Sequence, residues 1–197
     1  MKIKLSTKPL VSISLGLLLS ASFVSAQTNA GGERVNTPGA PVQLSERQQA
    51  AVAAIKKLGG EVRFDRDRNR ANDLVDLDNT PVTDADLVHL AELTSVKRLS
   101  LRFTKVTGAG FEHLKGLTNL TTVYLSGSTV GDVGLEQLKG VPTLVNLIAQ
   151  QSKITDAGLE HLKGQTNLRT LNLERTEVTE AGVKELQQSL PNCKTTR

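Results

Sequence analysis

The chain has 197 residues, of which 38% are hydrophobic and only 3% aromatic, and a formal net charge of +4. Three Lys and no acid fall within the first 26 residues, so the remainder carries 21 basic against 20 acidic residues. That balance excludes the basic field of a nucleic-acid or membrane-surface binder, and the one cysteine, Cys193, excludes an intramolecular disulfide.

Residues 1–26 have the organisation of a secretory signal. Lys2, Lys4 and Lys8 form a basic start, Leu10 to Leu19 an apolar run, and Val24-Ser25-Ala26 the small or short residues ahead of a cleavage site. The run is short beside the about 20 residues of a bilayer span. It predicts cleavage after Ala26, an exported protein (periplasmic or secreted), and no stable membrane insertion afterwards. No Cys follows the run, so a lipid attachment site is not expected. Residues 27–44, rich in Gly, Pro, Asn and Thr, read as a flexible linker.

Ser45 to Leu58 reads as a helix. Ser45 and Gln48 have capping-box spacing, Ala51, Ile55 and Leu58 share a face, and Gly59-Gly60 ends it. Glu61 to Asp65 alternates, with Val62 and Phe64 on one side, and reads as a short strand. The charged run Asp65 to Arg70 reads as a solvated loop. Residues 45–74 together form an expected N-terminal cap over the open end of the segment that begins at Val75.

From Val75 onward the sequence repeats every 24 residues. Val82-Thr83-Asp84-Ala85-Asp86-Leu87 returns as Val106-Thr107-Gly108-Ala109-Gly110-Phe111, as Ile154-Thr155-Asp156-Ala157-Gly158-Leu159 and as Val178-Thr179-Glu180-Ala181-Gly182-Val183, with Val130 to Leu135 as the most divergent copy. Such a period means a solenoid whose units bury their apolar faces against one another. The predicted core columns are Val75, Leu99, Val123, Leu147 and Leu171, then Leu77, Leu101, Leu125, Ala149 and Leu173 two residues later. Asn72, Val96, Leu120, Leu144 and Leu168 precede them; Val82, Val106, Val130, Ile154 and Val178 come after. The helices add Leu87, Phe111, Leu135, Leu159 and Val183, and then Leu90, Leu114, Leu138, Leu162 and Leu186. Gln165 stands where Leu93, Leu117 and Val141 stand in earlier units, a local apolar deficit.

The unit Leu168-Arg169-Thr170-Leu171-Asn172-Leu173-Glu174-Arg175-Thr176-Glu177-Val178 shows the pattern most fully. It resembles a leucine-rich repeat. The Thr-Asp-Ala-Gly-Leu signature is similar to that of secreted bacterial leucine-rich repeat proteins and of the F-box-associated subfamily. The resemblance implies an α/β leucine-rich repeat solenoid over residues 75–197: five repeats and a short C-terminal cap, with short parallel strands on the concave face and helices on the convex face. A ladder of near-identical units offers an extended binding surface rather than one converging chemical site, so a non-catalytic binding module is expected. Where the family has Asn or Cys, this chain has Thr80, Thr104, Ser128, Ser152 and Thr176, whose hydroxyls can satisfy backbone groups at the turn.

Thr83, Thr107, Thr155 and Thr179 read as helix N-caps, with Asp84, Asp132, Asp156 and Glu180 in the first turn, where negative charge is favourable. The glycine column Gly110, Gly134, Gly158 and Gly182 costs helix propensity of about 1 kcal/mol per residue, so close packing is its expected reason. Lys115-Gly116, Lys139-Gly140 and Lys163-Gly164 read as helix ends.

Catalytic constellations find little support. His89, His113 and His161 share a helix column with Gln137 and Glu185, an outer position that tolerates polar residues; two ligands without a third make a weak zinc site. Ser100 and Ser126 lie on strands without a His on their face, and the glycines follow the repeat rather than a phosphate loop. No cofactor or metal is implied.

Strand alternation sends the polar residues between the core leucines to the concave face. The candidate partner-binding residues are Asp76, Asp78, Arg98, Ser100, Arg102, Tyr124, Ser126, Ile148, Gln150, Asn172 and Glu174, with Thr122, Asn146 and Thr170 beside them. Arg102, Tyr124 and Ile148 are the expected centre, since Tyr and Arg anchor interfaces. A protein or peptide is the expected partner, a glycan the alternative; nucleic acid is not. A structural or self-associating envelope protein, or an accessory domain of an exported enzyme, are the competing roles.

Overall fold

The computed structural model describes residues 44–64 and 73–197. The expected signal, most of the linker, the charged loop and Asn72 lie outside these residues. Helix α1, Glu46–Lys57, begins at a capping box in which the Ser45 hydroxyl accepts from the Gln48 amide and the Gln48 side chain accepts from the Ser45 amide. It buries Ala51 and Ile55, and Gly59 ends it at φ +88°.

Strand β1, Glu61–Arg63, pairs antiparallel with β2, Leu74–Asp76. The parallel strands β3 (Arg98–Ser100), β4 (Thr122–Tyr124), β5 (Asn146–Ile148), β6 (Thr170–Asn172) and β7 (Lys194–Thr196) continue the same sheet in sequence order. Leu74, Arg98, Thr122, Asn146, Thr170 and Lys194 are in register, which is the 24-residue repeat written into the ladder. The sheet has seven strands where the repeats alone predict five, because β1 from the cap and β7 from the C-terminal segment extend it.

Strands β2 to β6 each bury their central residue. All described members of the predicted core columns are buried except Val183, which is partly covered. Cys193 packs into the same core near its C-terminal end. The Thr80, Thr104, Ser152 and Thr176 hydroxyls donate to the carbonyl three residues earlier at 2.6–2.8 Å, so the turn hydroxyls do satisfy backbone acceptors. The turn residue just before that hydroxyl has positive φ in every unit: Asn79, Phe103, Gly127, Gln151 and Arg175.

Two expectations change. The first two return segments are 3-10 helices, Asp84–Glu92 and Ala109–Gly116, and only the later ones are α-helical: α2 (Asp132–Leu138), α3 (Asp156–Glu160) and α4 (Glu180–Ser189). Secondly, Gly116, Gly140 and Gly164 are not among the positive-φ glycines, so the Lys-Gly pairs do not form left-handed caps.

The aspartates of the repeat signature stand in the first turn as expected, and they also act on the next unit. Asp132 accepts the Thr155 amide at 2.9 Å and its hydroxyl at 2.8 Å. Asp156 does the same for Thr179 at 2.7 and 2.6 Å. Asp84 takes both Thr107 groups and the Gly108 and Gly110 amides. The glycine column makes room: a Cβ at Gly158 or Gly182 would collide with the Asp132 or Asp156 carboxylate, and one at Gly110 with the Asp84 backbone. Thr155 and Thr179 also cap their own helices, accepting from the Ala157 and Gly182 amides.

Candidate partner-binding face

Beside the row that runs from Leu74 through Arg98, Thr122, Asn146 and Thr170, the strand face carries two further rows of side chains, one in line with Asp76 and one in line with Asp78. Short strands expose both, since the core residue lies between them and points the other way. The Asp76 row continues with Ser100, Tyr124, Ile148 and Asn172, the Asp78 row with Arg102, Ser126, Gln150 and Glu174.

The face holds one cluster with defined geometry. The Arg102 guanidinium lies 4.4 Å from the centroid of the Tyr124 ring, a cation–π contact between neighbouring units. Asp78 braces it from the other side at 3.8 Å, with the Arg102 side chain 42% exposed. Asp78 is itself fixed, accepting the Ser100 hydroxyl at 2.5 Å and the Arg102 amide at 2.8 Å. The arginine is thus held between a carboxylate and an aromatic face while part of it meets solvent.

Alternation places Ser100 and Ser126 on the open face, yet both are buried, Ser100 at 4% exposure. Both are short side chains flanked by longer ones. Thr122 is buried as well, its hydroxyl accepting from the Asn146 side-chain Nδ2 at 3.1 Å. Direct contact with a partner is therefore left to the longer residues. Asp76, Arg98, Ile148, Gln150 and Asn172 are half-buried and Glu174 is exposed. At the far end Gln150 donates to Glu174 at 2.8 Å, and Asp76 and Asn172 accept amides two residues on, from Asp78 and Glu174.

Phe103 is a residue that strand alternation does not single out. It is 57% exposed, has φ +55°, and its ring occupies the space a side chain at Gly127 would need. It comes directly after Arg102, so an exposed aromatic stands at the rim beside the Arg102–Tyr124 pair. The signal is present in the sequence as the glycine in the next unit's matching column, which makes a seat for a ring.

In the histidine column His89 is exposed and His113 and His161 are half-buried. Among the described residues no group of three or more His, Cys, Asp or Glu is placed to hold a metal ion, and no helix is long and apolar enough to cross a membrane.

A leucine-rich repeat family profile matches residues 116–139. No curated protein matches significantly. Among solved structures, a leucine-rich repeat protein of Leptospira interrogans aligns at 18% identity and a TM-score of 0.48, covering 56% of this chain and 27% of that one. Internalin C2 of Listeria monocytogenes aligns at 25% identity and a TM-score of 0.42, covering 55% and 54%. An internalin (inlF) of the same organism gives 18% and 0.40, covering 58% and 38%. The chain spans about a quarter to a half of the length of these structures.

Proposed function

We propose that this α/β leucine-rich repeat solenoid is a non-catalytic, extracytoplasmic protein-binding module that uses its strand face. The observation that carries the reading is the Arg102–Tyr124 pair, braced by Asp78 and bordered by exposed Phe103. Arg and aromatic residues dominate the energetics of protein interfaces, and a held side chain loses less entropy on binding. Export rests on the residues of the first 26 positions. The chain supplies the recognising surface, and its partner is a protein or peptide.

The test is affinity capture from an envelope fraction with the chain lacking residues 1–26, and then quantitative binding of the captured partner. The double variant Arg102→Ala/Tyr124→Ala is expected to weaken binding by more than about 1 kcal/mol, with Phe103→Ala adding to the loss. Val88→Ala on the helix side should change nothing. Equal affinity of the double variant and the native chain would move the interface to the helices or the cap.

A further inference from the structure

The backbone of the consecutive residues Arg102 and Phe103 is fixed by three hydrogen bonds. The Arg102 amide donates to the Asp78 carboxylate at 2.8 Å, the Arg102 carbonyl accepts from the Asn79 amide at 2.9 Å, and the Phe103 amide donates to the Ser126 carbonyl at 3.0 Å. Both side chains therefore leave the turn from a set position, and what each still has to offer decides what it binds.

Arg102 is held in place with its donors unspent. Its Cζ lies over the Tyr124 ring and its Nη1 stands 3.8 Å from Asp78 Oδ2, beyond hydrogen-bond reach. Among the described residues the guanidinium donates no hydrogen bond. Asp78 Oδ1, by contrast, accepts both the Ser100 hydroxyl and the Arg102 amide. A positioned guanidinium with its whole fork of N–H groups free is matched in shape and charge by a carboxylate. Lys105, exposed three residues' length along the same turn and in no ion pair among the described residues, adds positive charge to this rim against that of Asp78.

Phe103 offers an apolar surface. Every unit has positive φ at this turn position, and the others place Asn79, Gly127, Gln151 and Arg175 there. A bulky aromatic side chain is disfavoured in left-handed backbone, and with Phe103 57% exposed burial within the chain recovers little of that cost. The ring thus stands in solvent one residue from the free guanidinium.

We propose that this site recognises a peptide segment of the partner in which an Asp or Glu side chain stands within two positions of an aromatic or leucine side chain. The carboxylate takes the Arg102 fork, and the apolar side chain covers the Phe103 ring. The inference rests on the strand face being the protein-binding surface, and it names the chemistry that this surface reads. Asp78 decides between a carboxylate and a phosphate. A phosphate group brings about 1.5–2 negative charges at neutral pH, whereas Asp78 beside the guanidinium already offsets part of the cation, so a single negative charge is the better complement.

The experiment is selection of a displayed random dodecapeptide library on the purified chain. Fusing the peptides through their C-termini leaves side chains as their only carboxylates. The selected sequences should be enriched in Asp or Glu within two positions of Phe, Tyr, Trp or Leu. Selection on Arg102→Gln should lose the acid. Selection on Phe103→Asn, which suits the left-handed backbone, should lose the apolar residue and keep the acid, and both variants should melt as the native chain does. In a synthetic consensus peptide with an amidated C-terminus, replacing the acid by its amide should lower affinity at least tenfold, and phosphoserine in its place should also bind more weakly. A consensus without acids that still needs Arg102 and Tyr124, or tighter binding of the phosphoserine peptide, overturns the carboxylate assignment and leaves the strand face as the binding surface. A consensus indifferent to Arg102→Ala/Tyr124→Ala, or no enrichment at all, overturns both.

Discussion

Asp86 and Thr83 close the first repeat upon itself. The Asp86 carboxylate accepts the Thr83 amide at 2.8 Å and its hydroxyl at 2.7 Å. In the second, fourth and fifth units the preceding repeat supplies that acceptor, and the position equivalent to Asp86 is glycine, which leaves room for the neighbouring unit. The first unit has no predecessor of its own kind, and its single departure from the glycine column fills the vacancy from within. At the other end Glu180 is approached by Arg197 at 3.5 Å, whose Nε also donates to the Val178 carbonyl.

The same column should therefore respond oppositely to side chains. Asp86→Ala removes a cap-like acceptor and is expected to cost about 1 kcal/mol. Gly110→Ala forces a methyl group against the Asp84 backbone, and overpacking of that kind costs about 1–3 kcal/mol. Urea denaturation of both variants with an unchanged m-value measures this. A Gly110→Ala variant as stable as the native chain would mean that the units can separate freely, contrary to the ladder.

The ladder also predicts acid sensitivity. Hydrogen bonds from the Thr83 hydroxyl and amide hold the Asp86 carboxyl below its ordinary value, and those from Thr179 do so for Asp156. Burial pushes Asp84 upward, but the bonds from Gly110, Thr107 and Gly108 together outweigh it and leave the group lowered. A carboxyl with a lower pKa folded than unfolded binds fewer protons in the native state. Its stabilisation is present above the unfolded value of about 3.9 and is lost as pH falls through the folded values. Melting temperature should drop steeply below about pH 4, and more gently in Thr107→Val/Thr179→Val. Parallel pH profiles for the two proteins would assign the sensitivity to other groups.

The repeat period makes the core legible because each column is chosen by burial, and burial depends on position in the unit. The role of the Asp84, Asp132 and Asp156 carboxylates is not legible. A helix N-terminus accounts for an acidic residue equally well, and only the register of stacked units shows that the acceptor reaches forward. Arg102 and Tyr124 can be placed on the strand face by alternation, but their contact is cross-strand and needs the register too. Ser100 and Ser126 are misplaced because alternation gives direction and says nothing of the neighbours' lengths. The helical type of the return segments, 3-10 or α, has no distinct periodic signature over so few residues.

One rung is absent. Between the second and third units the acceptor position is Gly108 and the donor position Gly131, so both partners are missing together. The backbones move into the space: a Cβ on Gly108, which has φ +99°, would strike the Gly134 Cα. Restoring the consensus here should fail. Gly131→Thr alone meets only the Lys153 carbonyl at 3.3 Å and is expected to be close to neutral. Gly108→Asp, alone or with Gly131→Thr, should destabilise by about 1–3 kcal/mol through its left-handed backbone and the collision. A double variant more stable than the native chain would show that the interface opens to accept the standard pair.

Gln165 is more than an apolar deficit. It is buried at 4% exposure, and its Nε2 donates to the Leu138 carbonyl at 2.7 Å. Its Oε1 is buried without a hydrogen-bond partner, and a buried unsatisfied polar atom costs about 1–3 kcal/mol. The Leu138 carbonyl also accepts the Val141 amide at 2.9 Å, so it stays satisfied if the glutamine is removed. Gln165→Leu then trades one ordinary hydrogen bond, a net contribution of about 1 kcal/mol, for relief of the orphaned oxygen and burial of an apolar side chain. Leu93 and Leu117 show that the column accommodates leucine in full burial. The substitution is expected to stabilise by about 1 kcal/mol, a rise of about 2–4 °C in Tm for a chain of this size. Gln165→Ala, which removes the orphan and leaves a cavity, should not gain. A lower Tm for Gln165→Leu would show that the second bond to Leu138 holds the third and fourth units together more strongly than apolar contact can.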